Sequence, residues 1–326
     1  MFDTIVYGCM VLHFGRATGI FLRTMPFVLL RMGIGLLLGV VTILYFGFVI
    51  WLGYTLLNAE TISGWIAAVG LLVAIGIFVV AWRLFSRYVL YLVKAGHIAV
   101  IAHIVDTGEV PSNQVRYGKA QVRAHFTETS ALFALDQLVK GIIRQFNRRI
   151  VSVSGLFAFS GGLRNVIQLI TRAIAVAATY IDEAIIAYMF MADEENPWRA
   201  ARDGVVLYGK NWKPVLGSTL LIVFGMYAAT FVLLLALTPL ASVLGGLSAT
   251  LEIVGWVLVG GVVLTAYTGF FNPWVKTVVI TTFLIEAKDD TPDGETVDRI
   301  ANRSEKFTEL VRKAETEKRD PAVART

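Results

Sequence analysis

The sequence predicts an all-α polytopic membrane protein, with two transmembrane helical hairpins bracketing an amphipathic helical layer. Three observations carry that prediction. Four apolar runs reach the roughly 20 residues needed to cross about 30 Å of hydrocarbon. Across 326 residues, 56% are hydrophobic and only 16% charged, with a mean hydropathy of +0.68. A soluble domain carries about 25% charged residues, so this composition argues against a water-soluble enzyme. Lastly, the basic residues behind the net charge of +5 gather between and after the apolar runs. That pattern sets membrane orientation before it suggests nucleic-acid binding, and no nucleic acid is expected as a partner.

Residues 1–25 read as an interfacial N-terminal helix. No Lys or Arg precedes its first apolar stretch and Asp3 sits within it, which argues against a cleaved signal peptide. Arg16 and Arg23 are placed to meet lipid headgroups. The first hairpin, with its helical extension, takes residues 26–105. Its spans run from about Pro26 to Leu57 and from Trp65 to Trp82, and turn residues at Asp106, Gly108, Pro111 and Asn113 end the extension.

Residues 106–213 form an amphipathic helical region. One helix is expected from Val115 to Ile150, with Leu135, Leu138, Val139, Ile142, Ile143, Phe146 and Ile150 recurring at three and four residues. Its other face carries Lys140, Arg144, Arg148 and Arg149, which together with Arg83 and Arg87 are expected to face anionic lipid headgroups. The second hairpin takes residues 214–287. Its spans run from Pro214 to Thr238, where Pro239 stops the helix, and from Ile253 to Ile285, interrupted by Asn272, Pro273 and Lys276. The tail, 288–326, holds an amphipathic helix marked by Val297, Ile300, Phe307, Leu310, Val311 and Ala314. A helix with such a stripe must pack on something, so a cytoplasmic protein partner is expected there, or the 115–150 helix, or a second subunit.

Orientation follows from the Lys and Arg positions. Both hairpin tips lack basic residues, which places them outside and both termini on the cytoplasmic side of a cell membrane.

Segment 163–191 is the least routine. It is long enough to cross a bilayer yet contains Arg164, Arg172, Asp182 and Glu183. On a helical projection Asn165, Gln168, Arg172, Thr179, Asp182 and Glu183 share a stripe. Arg172 and Asp182 stand about 15 Å apart along one helix and cannot pair within it. The segment either lies at the interface, dips in and returns, or crosses once. A polar stripe in the membrane would line a solute path, and Asn272, Pro273 and Lys276 join it as candidates because broken backbone needs water or partners.

The stretch from Tyr180 to Met191 (YIDEAIIAYMFM), followed by Trp198 to Asp203 (WRAARD) and Leu207 to Asn211 (LYGKN), resembles the C-terminal half of choline transporter-like proteins. The likeness covers roughly residues 115–315 in order and spacing. It extends to the acidic turn from Glu286 to Gly294 that follows the second hairpin. The chain departs from that family in having fewer spans and no Cys-rich external loop. The resemblance implies passage of a small solute, and no family binding residue carries over.

Other chemistry is not expected. Neither the four histidines nor the single Cys9 form a metal-ligand spacing, and no phosphate loop, nucleophile elbow or dinucleotide fingerprint is present. Neither a metal nor a cofactor is expected, and the chain does not read as an enzyme. The expectation is an oligomer in the lipid bilayer that passes a small solute or ion. The alternative is a non-transporting scaffold that binds anionic lipid and a cytoplasmic partner.

Overall fold

The computed structural model describes residues 13–125, 129–154, 163–192, 194 and 196–316. It is 89% helical with no strand among the described residues, an all-α polytopic membrane protein. Among the described residues four continuous helices are long and apolar enough to cross a membrane: Met25–Asn58, Gly64–Thr107, Val215–Gly245 and Ala249–Lys288. The first span lies in α2 (Met25–Asn58) and the third in α9 (Trp212–Gly245). Contrary to the sequence expectation, Pro239 does not stop α9 but sits inside it. A membrane helix tolerates the lost hydrogen bond when neighbouring groups or local adjustment make it good.

The second and fourth spans are bipartite. The second is α3 (Gly64–Phe85), a five-residue π-helical segment (Ser86–Leu90) and α4 (Tyr91–Thr107). The fourth is α10 (Ala249–Ala266), a π segment (Tyr267–Phe271) and α11 (Asn272–Lys288). Thus the expected interruption at Asn272-Pro273 is a widened turn rather than a break. Pro273 lacks an N–H and its ring crowds the carbonyl four residues back, which a wider turn relieves. Above each π segment side chains such as Leu72, Val80, Ile253 and Val257 are exposed, and below it α4 and α11 are buried along most of their length. Exposed apolar surface on this scale is a lipid-facing surface.

The buried ends meet in a layer of shorter helices: α1 (Phe14–Arg23), α5 (Gln114–His125), α6 (Thr129–Ser154), α7 (Leu163–Met191), α8 (Pro197–Lys210), α12 (Gly294–Ala301) and α13 (Glu305–Thr316). α7 is the hub, packed on α4, α6, α8, α9 and α11 around Ile101, Ile104, Ile142, Ile181 and Ile185. α4 ends where Gly108 takes a left-handed conformation at φ 79°. α8 starts where the Asn196 side chain accepts the N–H groups of Trp198 and Arg199, with Pro197 in the first turn.

α1 packs on α11 and keeps Arg16 and Arg23 exposed. Arg16 donates to the Val105 carbonyl at 3.1 Å, and Trp274 donates to Thr18 Oγ1 at 3.1 Å. Residues 1–12 of that segment lie outside the described residues. The single helix expected over 115–150 is two, α5 and α6, whose junction at 126–128 is also outside them. Of the three covers expected for the tail's apolar stripe, the structure shows the helix within 115–150, here α6, joined by α8. Ile300, Phe307, Leu310 and Ala314 are buried, α13 packs on α8 and α6, and Ser304 donates to Gln145 Oε1 at 2.6 Å.

Candidate functional site

The layer that seats both hairpins holds three lysines and three carboxylates joined in one chain of ion pairs. Asp182 Oδ2 lies 3.7 Å from Lys140 Nζ, which lies 2.5 Å from Asp136 Oδ2. Asp136 Oδ1 lies 3.8 Å from Lys94 Nζ, and Lys94 lies 3.2 Å from Glu183 Oε1. The same Glu183 oxygen accepts from Lys276 Nζ at 2.7 Å. Charges alternate along this path, which runs through α7, α6, α4 and α11.

Each charge arrives by a local rule. Asp136 and Lys140 are four residues apart on α6 and so share a face, the face that also carries the buried Leu132, Leu135, Val139 and Ile143. Asp182 and Glu183 are adjacent on α7 and diverge by about 100° around the helix axis, which sends one toward α6 and the other toward α4 and α11. Lys94 and Lys276 stand just beyond the two π segments, each preceded by Val and followed four residues later by Ile: Val93-Lys94 with Ile98, and Val275-Lys276 with Ile280. The two hairpins thus offer one lysine each, from corresponding points, to a single carboxylate.

Taking charges out of water costs several kcal/mol per ion unless pairing and hydrogen bonds offset it. Asp136, Asp182 and Glu183 are all nearly fully buried, at 1%, 1% and 3% exposure. Burial pushes the Asp182 carboxyl well above the ordinary aspartate value. Lys94 and Lys140 pull it down, while the neighbouring Glu183 charge adds to the rise. For Glu183 burial acts in the same sense, but Lys276 and Lys94 outweigh it and hold that carboxyl below its ordinary value. Asp182 Oδ1 accepts the Glu183 N–H at 2.9 Å, whereas Oδ2 has no hydrogen-bond partner among the described residues, and neither has Asp136 Oδ1. Lys94 and Lys140 each stand within 4 Å of two carboxylates, so a small shift re-pairs the chain without stranding a charge. That is the arrangement's chemical capacity: it can admit an ion or proton and rebalance.

Of the residues expected to line a solute path, the structure gathers Asp182, Glu183 and Lys276, with Pro273 beside a void next to them. It separates Arg172 and Thr179, which are exposed on α7; the Thr179 hydroxyl donates to the Ala175 carbonyl. The single polar stripe is therefore split: Asp182 and Glu183 are buried against α4, α6 and α11, while Arg172 and Thr179 are exposed. Asn272 carries a buried Oδ1 without a hydrogen-bond partner among the described residues. The side chains of Asn165 and Gln168 lie outside the described ones.

Among the expected lipid contacts, Arg83 and Arg144 are exposed, and the side chains of Arg87, Arg148 and Arg149 lie outside the described ones. Lys140 is a correction. It turns into the layer to Asp136 and Asp182 instead of facing lipid, and among the described residues it is the lysine within ion-pair distance of the buried Asp182. Sequence reasoning also missed Lys94 and Asp136 as site residues. Two signals were legible: a carboxylate inside α6's apolar stripe, and the Val-Lys-x-x-x-Ile pattern repeated after the second and fourth spans.

The chain matches no family model, no curated protein and no solved structure. What defines it is its own geometry, that of a polytopic helical membrane protein with a buried charge chain at the base of its spans.

Proposed function

We propose that the protein passes a small solute or ion across a cell membrane, with the Asp182–Lys140–Asp136–Lys94–Glu183–Lys276 chain as its cytoplasmic-side station. The observation that carries this reading is the clasp of Glu183 by one lysine from each hairpin. Ionisable groups at such depth are costly and are kept where charge must be received or moved. Any relative motion of the hairpins changes two ion pairs at once. The lack of basic residues at both hairpin tips supports cytoplasmic termini, and the resemblance of Tyr180–Asn211 to choline transporter-like proteins agrees with solute passage. The most apolar stretches of the first two spans bury nothing within the chain. An enclosed route therefore needs more than one copy, and a homo-oligomer is part of the proposal.

That same open surface favours a second reading, a membrane scaffold that binds anionic lipid through exposed groups such as Arg83 and Arg144. Reconstituted full-length protein on a solid-supported membrane separates the two. Currents are recorded on jumps of choline, potassium, phosphate and amino acids. Passage predicts a solute-dependent current that Glu183→Asp and Lys276→Arg alter while both variants elute at the wild-type size. Silence toward all of them, with binding to phosphatidylglycerol vesicles intact, leaves the scaffold.

A further inference from the structure

Beside the charge chain lies a small void of about 10 Å³, lined by Arg31, Lys94, His97, Glu183, Pro273 and Lys276 among others. That is room for one water-sized atom. Arg31, Lys94 and Lys276 face it against Glu183, with Asp136 3.8 Å from Lys94. Lys94 and Lys276 share Glu183, and Arg31 makes no ion pair among the described residues. His97 is 6% exposed, stacked on Phe27 with ring centroids 5.2 Å apart, and its Nε2 is buried without a hydrogen-bond partner among the described residues. A buried donor or acceptor left unmatched in a native core calls for a partner. The positive excess around it says that the partner carries negative charge.

The depth of Arg31 narrows the chemistry. Tyr45 Oη donates to the Ala74 carbonyl at 2.9 Å, which fixes the level of α2 against α3. Arg83, where charge first appears on α3, is nine residues beyond Ala74, or about 13 Å along the axis. Arg31 is fourteen residues from Tyr45 in the same direction, or about 21 Å. The Arg31 Cα therefore lies about 8 Å beyond the level of Arg83, the first charge on α3. The half-buried position of Arg31 leaves it open on one side.

We propose that this void and its mouth form a site for a phosphate-type oxyanion: one oxygen enters between Lys94, His97 and Lys276, and the Arg31 guanidinium takes the others. A planar fork suits two oxygens of one phosphate, and ammonium groups act as point charges behind it. The site deepens the reading above and rests on it for the role of the charge chain. Binding is measured without flux, however, so the two fail separately.

The test uses full-length protein in neutral detergent, with two probes. Inorganic phosphate is titrated against chloride at matched ionic strength and the thermal midpoint is followed, since a ligand of the native state raises it. Retention of phosphatidylglycerol over phosphatidylcholine is then read from mixed micelles by native mass spectrometry. A phosphate-specific rise that Arg31→Gln loses and the exposed Arg116→Gln keeps assigns the site to a soluble anion. No such rise, but phosphatidylglycerol retention that falls to the phosphatidylcholine level in Arg31→Gln alone, assigns it to a lipid headgroup. Arg31→Lys keeps the charge without the fork. It should retain part of either response and serves as the reference if Arg31→Gln does not assemble. Equal responses to phosphate and chloride with equal retention of both lipids overturn the proposal. So does a response that no Arg31 substitution changes.

Discussion

Asp182 and Glu183 are sequence neighbours held under opposite electrostatic conditions. Glu183 shares one oxygen between two lysines at 2.7 and 3.2 Å, while Asp182 has, among the described residues, one lysine within ion-pair distance, at 3.7 Å. Their substitutions should therefore differ. Glu183→Gln leaves Lys94 and Lys276 facing each other in the core, and breaking a buried pair in this way costs about 3–5 kcal/mol. Asp182→Asn keeps an oxygen for the Glu183 N–H and leaves Lys140 on Asp136, so its cost is at most that of one hydrogen bond, about 1.5 kcal/mol. Thermal unfolding in detergent ranks the two, and equal losses would contradict this assignment.

The pH dependence of Asp182 follows from its raised carboxyl. Unfolded, the group titrates near 3.8, and folded it holds its proton to higher pH. The associated stability is fully present below the unfolded value and is lost as pH rises through the folded one. Asp182→Asn carries no such proton, so its midpoint relative to wild type should climb as pH goes from below 4 toward neutrality. Parallel thermal scans across that range check the sign. A constant gap would show that Asp182 does not titrate in this window.

Helices α4 and α5 touch backbone to backbone. A Cβ added at Gly118 would lie 2.6 Å from the Gly96 carbonyl oxygen and 2.9 Å from Gly96 Cα, neither of which can rotate away. Gly118→Ala should destabilise by about 1–3 kcal/mol, the usual cost of overpacking. Gly96→Ala meets only ordinary contacts at 3.5–3.6 Å and should cost less. The order of the two midpoints decides.

Phe307 is fully buried where α13 meets α6 and α8. Phe307→Ala should cost about 3–5 kcal/mol and free the C-terminal helices. Limited proteolysis would then cut near Ser304 in the variant before any other site, whereas unchanged protection would show that α13 is held by other contacts.

In a Cys9→Ser background, cysteines at the exposed Arg172 and Thr179 should label rapidly with water-soluble maleimide. Cysteines at the buried Ala184 and Ala187 should resist it. Uniform labelling along α7 would place its C-terminal half at a surface.

The spans were legible because apolar length is a property of sequence alone, and α7 ran from Leu163 to Met191 as its pattern indicated. The site was legible only in part. Asp182, Glu183 and Lys276 stood out as charges in apolar surroundings. Lys140 looked like a lipid contact because helical periodicity shows which face a residue is on and not what packs against that face. The pairing of Lys94 with Glu183 joins residues 89 positions apart on elements that a projection cannot bring together. Pro239 failed as a stop signal because in lipid the alternative to a helix is worse than a helix lacking one bond.

The clasp on Glu183 also sets an order of events in synthesis. Lys276 lies 93 residues downstream of the carboxylate it holds, and Trp274 lies 256 residues from its partner Thr18. A nascent chain that has not yet released α11 lacks the main cover of α1 and has only one of the two cations for Glu183. Contacts this distant form last and expose apolar surface until they do. Ribosome stalling or truncation ahead of Asn272 would thus leave an unfinished layer for quality control to recognise, even with three spans already inserted.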